Sequence, residues 1–263
     1  MKSALNDLNA YCSTYERDYS RDEDIAPLLS GGTPEGMLAA ARRVRSRENG
    51  VFLKLPMEAY RPEPDCPEIG RAPGLVLNGE GLHKALKCIE LAGDEPVMLR
   101  LSGPFSAFFS AAGTDATFRW LRKNSPEVKQ SLERIADGLA EYASVAAEKG
   151  ARIISVADPC AMIQVLGEKA YREFAAAYLV RMLKGILPRA RESVVHLCPR
   201  ASRQLQESGY VTVRGISVPQ SCYADALLRA APMTLDCAAG HRCVNMEQAA
   251  VDTLILLDFA GGD

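Results

Sequence analysis

The stretch Arg152-Ile153-Ile154-Ser155-Val156-Ala157-Asp158-Pro159 decides how the chain is read. Its β-branched run, preceded by Gly150 and closed by Asp158-Pro159, is the pattern of a strand, and helical patterns stand on both sides of it. Upstream, Ser125-Pro126-Glu127 opens a helix in which Val128, Leu132, Ile135, Leu139, Tyr142 and Ala146 recur at intervals of three and four, so one stripe is buried. Downstream, a long helix carrying Tyr171, Phe174, Tyr178 and Met182 runs to about Ile186, and Ser193-Val194-Val195-His196-Leu197 is the next strand. Strands separated by helices of this length need crossover connections, hence a parallel sheet with helices outside it.

The same alternation extends outward. Thr33 and Pro34 start a helix over about 35–48, closed by Asn49-Gly50 and followed by a short strand from Val51 to Leu55. A Pro-rich connection at 61–73 leads to a helix near 81–93 and a strand Pro96 to Leu101, ending in Ser102-Gly103-Pro104, with helical residues at 105–112 and 115–123. Beyond His196 the pattern predicts a helix over about 200–208, a strand Tyr210 to Ile216, a helix over about 221–231, a short strand Met233 to Asp236 and a last helix over about 245–258. About six strands are fewer than the eight of a complete (β/α)8 barrel. The expectation is a single α/β domain over 1–263, TIM-barrel-like but shortened, with the mixed-charge residues 1–34 as an N-terminal arm.

With 48% hydrophobic residues in 263, the chain is no disordered or fibrous protein. Its net charge of −2 offers no general attraction for nucleic acid or an anionic membrane. The run Arg42, Arg43, Arg45 and Arg47 reads as a solvated helix face. No apolar leader occurs at Met1 to Tyr11 and no stretch approaches a membrane span, which points to the cytoplasm. In that reducing setting the eight cysteines are core residues, metal ligands or reactive thiols before they are disulfides.

In a parallel α/β fold the functional groups gather at the C-terminal strand ends. His196-Leu197-Cys198 is the most informative of these, since residues i and i+2 of a strand point to one side and bring an imidazole and a thiolate within reach of one ion. Zinc suits that donor pair and asks for a third ligand. The candidates are Cys237, at the predicted end of a later strand, and Cys243, in a second pair His241-Arg242-Cys243. A lone His-x-Cys is a weak signal, and a strand cysteine is more often a small core residue. His83 has no such company, and Cys12, Cys66, Cys88, Cys160 and Cys222 are assigned to core or surface. Asp158, at a strand end and followed by Pro, either caps the next segment or faces the barrel mouth, where it would hydrogen-bond a substrate or orient a metal ligand. Gly103-Pro104 reads equally well as a tight turn into a helix.

Leu101-Ser102-Gly103-Pro104-Phe105-Ser106, Ile154 to Pro159, Val195-His196-Leu197-Cys198, and Cys237 ahead of a helix containing Glu247 together resemble the uroporphyrinogen decarboxylase superfamily. Within it, over about residues 95–258, they resemble most the methylcobamide:coenzyme M methyltransferases. The resemblance implies a (β/α)8-type barrel in which Zn2+ binds a small thiol substrate, and the thiol receives a methyl group from a methyl-corrinoid carried by a partner corrinoid protein. It implies His196, Cys198 and Cys237 as zinc ligands, with Cys243 as runner-up, and Asp158 in the catalytic funnel. The family's members are longer, and the segment Ala238 to Cys243 departs from their pattern. Two other readings remain: a non-enzymatic module that docks a corrinoid protein, and a decarboxylase-like lyase, for which residues 1–50 offer no Arg-rich substrate motif.

Overall fold

The computed structural model of the protein describes residue 19 and residues 21–55, 63–65, 74–76, 79–123 and 126–259. Its centre is a seven-stranded sheet. Four parallel strands form one side of it: β1 (Leu53–Lys54), β4 (Val97–Ser102), β5 (Ala151–Ala157) and β6 (Val194–Leu197). Strand β8 (Cys237–Gly240) continues the parallel run with His196 opposite Ala239. The sheet then changes direction through β9 (Ala250–Phe259), antiparallel to β8, and ends on β7 (Val211–Cys222). A separate hairpin pairs β2 (Glu63–Asp65) with β3 (Gly74–Val76). The fold is thus the expected α/β class in shortened form: the parallel βα run is present, and β1 and β7 are sheet edges where a complete barrel would join strand to strand.

Two cores sandwich the sheet. On one face Leu99, Leu101, Ile154, Val156, Val195 and Leu197 meet α3 (Glu80–Ala92), α6 (Pro126–Glu148) and α9 (Ala177–Ile186). The predicted stripe of α6 is buried throughout, from Val128 to Ala146. The helix ending in α9 begins at α8 (Glu168–Tyr171) and passes through a π-helical turn at Arg172–Ala176, which buries Phe174. On the other face Met98, Ile153, Val194 and Ala239 meet α11 (Tyr223–Ala230), whose Tyr223, Ala224, Ala226, Leu227 and Ala230 are buried. In a complete barrel this face would line the lumen. Here one amphipathic helix fills it.

Near the N-terminus, α1 (Ala26–Ser30) lies on α2 (Pro34–Glu48), and Tyr19 and Ile25 are buried against Ala40 and Val44. The packed core therefore extends into the stretch read as an arm. Thr33 caps α2 as expected, its hydroxyl accepting the Gly36 N–H. The four arginines of α2 form the solvated face predicted for them: Arg42 and Arg45 pair with Glu95, Arg43 with Asp24 and Arg47 with Asp22.

Two elements differ from the sequence reading. The predicted helix over 245–258 is a loop up to residue 249 and strand β9 from Ala250. Leu254, Leu256 and Leu257 are buried and Asp252 and Thr253 exposed, an irregular pattern that one face of a helix also accommodates; pairing along nearly all of β7 settles it as extended. The predicted strand Met233 to Asp236 lies four residues early. Ala231–Met233 is a 3-10 turn started by Pro232, and β8 begins only at Cys237.

Candidate functional site

The C-terminal ends of β4, β5 and β6 and the two flanks of β8 carry the residues singled out in the sequence, and the structure sorts them into three places. Asp158 follows β5 and is buried beneath the N-terminus of α4 (Pro104–Ala112). It accepts the N–H of Phe105 at 3.3 Å, the N–H of Ser106 at 2.7 Å and the Ser106 hydroxyl at 2.5 Å. The Ser106 oxygen in turn accepts the Cys160 N–H. Helix α4 thus gains a cap from across the sheet, because its own preceding residue, Gly103, has no side chain to offer. Burial pushes the Asp158 carboxyl up to about 6, against the lowering effect of its three donors.

His196 is buried on the α11 face. Its Nδ1 lies 3.2 Å from Ser155 Oγ, and its Nε2 lies 2.9 Å from the carbonyl oxygen of Arg242. A carbonyl only accepts, so Nε2 carries the proton and Nδ1 accepts from Ser155. Burial lowers the imidazole to about 4, with the Arg242 carbonyl opposing, and His196 is neutral at pH 7. Tyr223 packs edge-on against its ring, and the Arg242 guanidinium lies over Tyr223.

Cys198 opens α10 (Pro199–Glu207), its N–H bonded to Val156 O at the end of β5. Cys243 lies on the loop after β8, close enough to Cys198 for that thiol to raise its pKa; burial raises it more, and Lys54 lowers it. His196, Cys198 and Cys243 therefore share one end of the sheet. Cys237 does not join them. It opens β8 instead of closing a strand, so it lies at the opposite end, where its sulfur contacts Arg214 Nη2 at 3.6 Å and Met233 O at 3.7 Å. Among the described residues no three His, Cys, Asp or Glu side chains converge as a metal site. Both nitrogens of His196 are engaged and Cys237 is remote, so the set His196, Cys198 and Cys237 does not fit zinc in this arrangement.

The sequence reading missed the loop 241–249, which lies across this end as a strap. Arg203 donates to His241 O, His241 N–H to Ser202 Oγ and Gln248 to Asn49 O. Glu247, read as helical, is instead a buried carboxylate gripped by Val51 N–H, Phe52 N–H and Lys54 Nζ. Ser155 was equally unmarked, although a serine within an apolar strand beside a histidine strand is a legible hint of a pairing. Of the remaining cysteines, Cys88 is buried, its thiol pushed up to about 12 by burial, and Cys160 and Cys222 are half-buried; Cys12 and Cys66 lie outside the described residues.

These features coincide with a family. The model of the family described as uroporphyrinogen decarboxylase (URO-D) matches residues 78–244, more than half of the chain, and the chain belongs to that family. Among curated proteins it is 31% identical over 139 residues, 52% of this chain and 41% of the relative, to a methylcobamide:CoM methyltransferase MtbA of Methanosarcina mazei. It is 26% identical over 149 residues (57% and 38%) to a methylated-thiol–coenzyme M methyltransferase of the same organism, and 22% identical over 139 residues (52% and 40%) to a methylcobamide:CoM methyltransferase MtaA of Methanosarcina barkeri. A solved methyltransferase from Methanosarcina mazei is similar with a TM-score of 0.48 and 20% identity, over 64% of this chain and 57% of that one. The chain spans about two fifths of the length of these curated relatives. Among the described residues no helix is long and apolar enough to cross a membrane.

Proposed function

We propose that this chain is a methyl-transfer module of the URO-D family, moving a methyl group from a methyl-corrinoid protein to a small thiol. The observation that carries the reading is that His196 on β6, Cys198 just after it and Cys243 on the loop after the neighbouring parallel strand β8 lie toward one end of the sheet, in a chain whose relatives are named as methylcobamide:CoM methyltransferases. In the transfer the methyl carbon leaves cobalt, which keeps the bonding electron pair, and forms a bond to the sulfur of the thiolate acceptor. A low-dielectric surrounding free of competing water favours such a displacement, and His196, Tyr223 and Ser155 are all buried at this face of the sheet.

Burial raises the Cys243 thiol above its ordinary value. Zinc, when bound, would supply thiolate at neutral pH. The donors nearest to holding it are His196, Cys198 and Cys243, on condition that the Arg242 carbonyl gives up Nε2. The test is demethylation of methylcobalamin by a panel of small thiols, followed by the loss of its cobalt–carbon absorbance. A thiol-dependent rate that is lost in Cys198→Ser supports the reading; no rate above protein-free thiol in any metal condition ends it.

The filling of the inner sheet face by α11 favours a second reading, a corrinoid-protein docking module without turnover. It predicts saturable binding of a methyl-corrinoid protein with no methyl transferred to any thiol.

A further inference from the structure

Glu247 has no place in the methyl-transfer reading, yet it is 3% exposed and held by three donors. The N–H groups of Val51 and Phe52, adjacent in the chain, both point at Oε2, the latter at 3.0 Å, and Lys54 Nζ reaches Oε1. Consecutive backbone N–H groups joined by an ammonium make a concave oxyanion receptor. This receptor borders a cavity of about 530 Å³ lined also by Glu48, Arg100, Asn245 and Gln248. Lys54 is shared with Glu48 at 3.2 Å, and Arg100, 2% exposed, donates to Leu55 O at 3.1 Å. With Glu247 withdrawn, the Val51 and Phe52 N–H groups and the Lys54 ammonium lose the carboxylate that they hold, which favours an anion in its place.

The carboxylate that fills the receptor comes from the strap, not from a helix or strand. Residues 244–249 lie between β8 and β9, tied down by Glu247, by the Gln248 side chain and by the backbone bonds from Ala224 N to Glu247 O and from Tyr223 N to Ala249 O. The same strap carries Arg242, whose carbonyl covers His196 Nε2. We propose that Val51, Phe52 and Lys54 form a binding site for a small oxyanion group, carboxylate, phosphate or sulfonate, which Glu247 occupies in this state as an internal stand-in. An oxyanion that displaces Glu247 releases the strap and uncovers His196, linking the two places without new contacts between them. The proposal does not depend on methyl transfer.

The test titrates the full chain and its Glu247→Ala variant with sodium acetate, phosphate or methanesulfonate at constant ionic strength, sodium chloride serving as control. The variant is expected to gain thermal stability with at least one of these anions and to bind it about tenfold or more tighter than the wild type, which must first expel its own carboxylate. The gain is expected to vanish in Glu247→Ala/Lys54→Met. In the wild type the same anion is expected to speed amide hydrogen exchange over 241–249. The three anions distinguish which oxyanion the receptor takes. No gain over chloride, or an equal gain in the double variant, overturns the proposal. Should Glu247→Ala not fold, the wild type decides: strap exchange unchanged at saturating concentrations of all three anions overturns it equally.

Discussion

The carbonyl oxygen of Arg242 lies 2.9 Å from Nε2 of His196, so a backbone group of the strap occupies the imidazole atom that faces the loop after β8. Both ring nitrogens are thereby satisfied inside the protein, and the histidine is a keystone between β5, β6 and the strap. His196→Ala removes two hydrogen bonds, leaves the Arg242 carbonyl facing a void and deletes a ring packed on Tyr223. The expected cost is about 2–4 kcal/mol of stability. Urea unfolding measures it, and hydrogen exchange over 241–246 is expected to rise in the same variant; a loss below about 1 kcal/mol, within the range of an ordinary surface change, contradicts the assignment.

Asp158 and His196 titrate in opposite senses. Asp158 has its folded pKa raised to about 6 from 3.8, so the native state holds a proton that the unfolded chain releases, and its contribution to stability falls as pH rises from about 4 to 6. His196 has its folded pKa lowered to about 4 from 6.5, so its contribution is complete above 6.5 and is lost as pH falls toward 4. In metal-free wild type the two slopes offset one another between pH 4 and 6. Asp158→Asn is expected to uncover a stability that climbs with pH through that window, and His196→Gln one that declines. Denaturant midpoints at half-unit pH steps read both slopes; parallel profiles for the two variants contradict the pairing.

How much of this was legible in the sequence follows from where the information resides. Strands β4, β5 and β6 stood out because each is a short apolar run bounded by Gly, Pro or Asp, and α6 because its stripe is long and regular. Asp158 was marked as either cap or catalyst, and the cap lies on α4, across β4, a partner 52 residues away that no local pattern encodes. Strand β9 was misread because its apolar residues satisfy a helical period as well as an extended one, and its conformation is decided by β7, some 40 residues earlier in the chain. Strand β8 was placed early because the 3-10 turn at Ala231–Met233 delays it, so Cys237 opens the strand and does not close one. The strap was invisible for a related reason: Glu247 is explained only by N–H groups nearly 200 residues distant.

Gly103 is fixed by space, not by backbone angle, since its φ of −68° suits any residue. A Cβ there would fall 2.5 Å from Asp158 Cγ and Oδ2, and a buried carboxylate held by three donors has nowhere to retreat. Gly103→Ala is expected to expel Asp158 from the α4 cap and to cost about 2–4 kcal/mol, the sum of a lost cap and overpacking. If the loss arises this way, Gly103→Ala placed on Asp158→Asn costs less than the two separate losses added, and a double-variant cycle shows the shortfall; simple additivity points to another cause.

Cys237 and Cys243 make opposite predictions for metal. Cys237 is almost fully buried between Arg214 and the Met233 carbonyl at the start of β8, and burial raises its thiol, as expected of a packing residue. Cys243 sits on the strap within electrostatic reach of Cys198 and Lys54. Cys237→Ser therefore leaves zinc affinity within about twofold of wild type, whereas Cys198→Ser and Cys243→Ser each lower it by about 10-fold or more, as the loss of a ligand does at other metal sites. Competition against a colorimetric chelator gives the three affinities. Zinc lost with Cys237 and retained without Cys243 would restore Cys237 as the third ligand, and it would require β8 to slide by about two residues to bring Cys237 opposite His196.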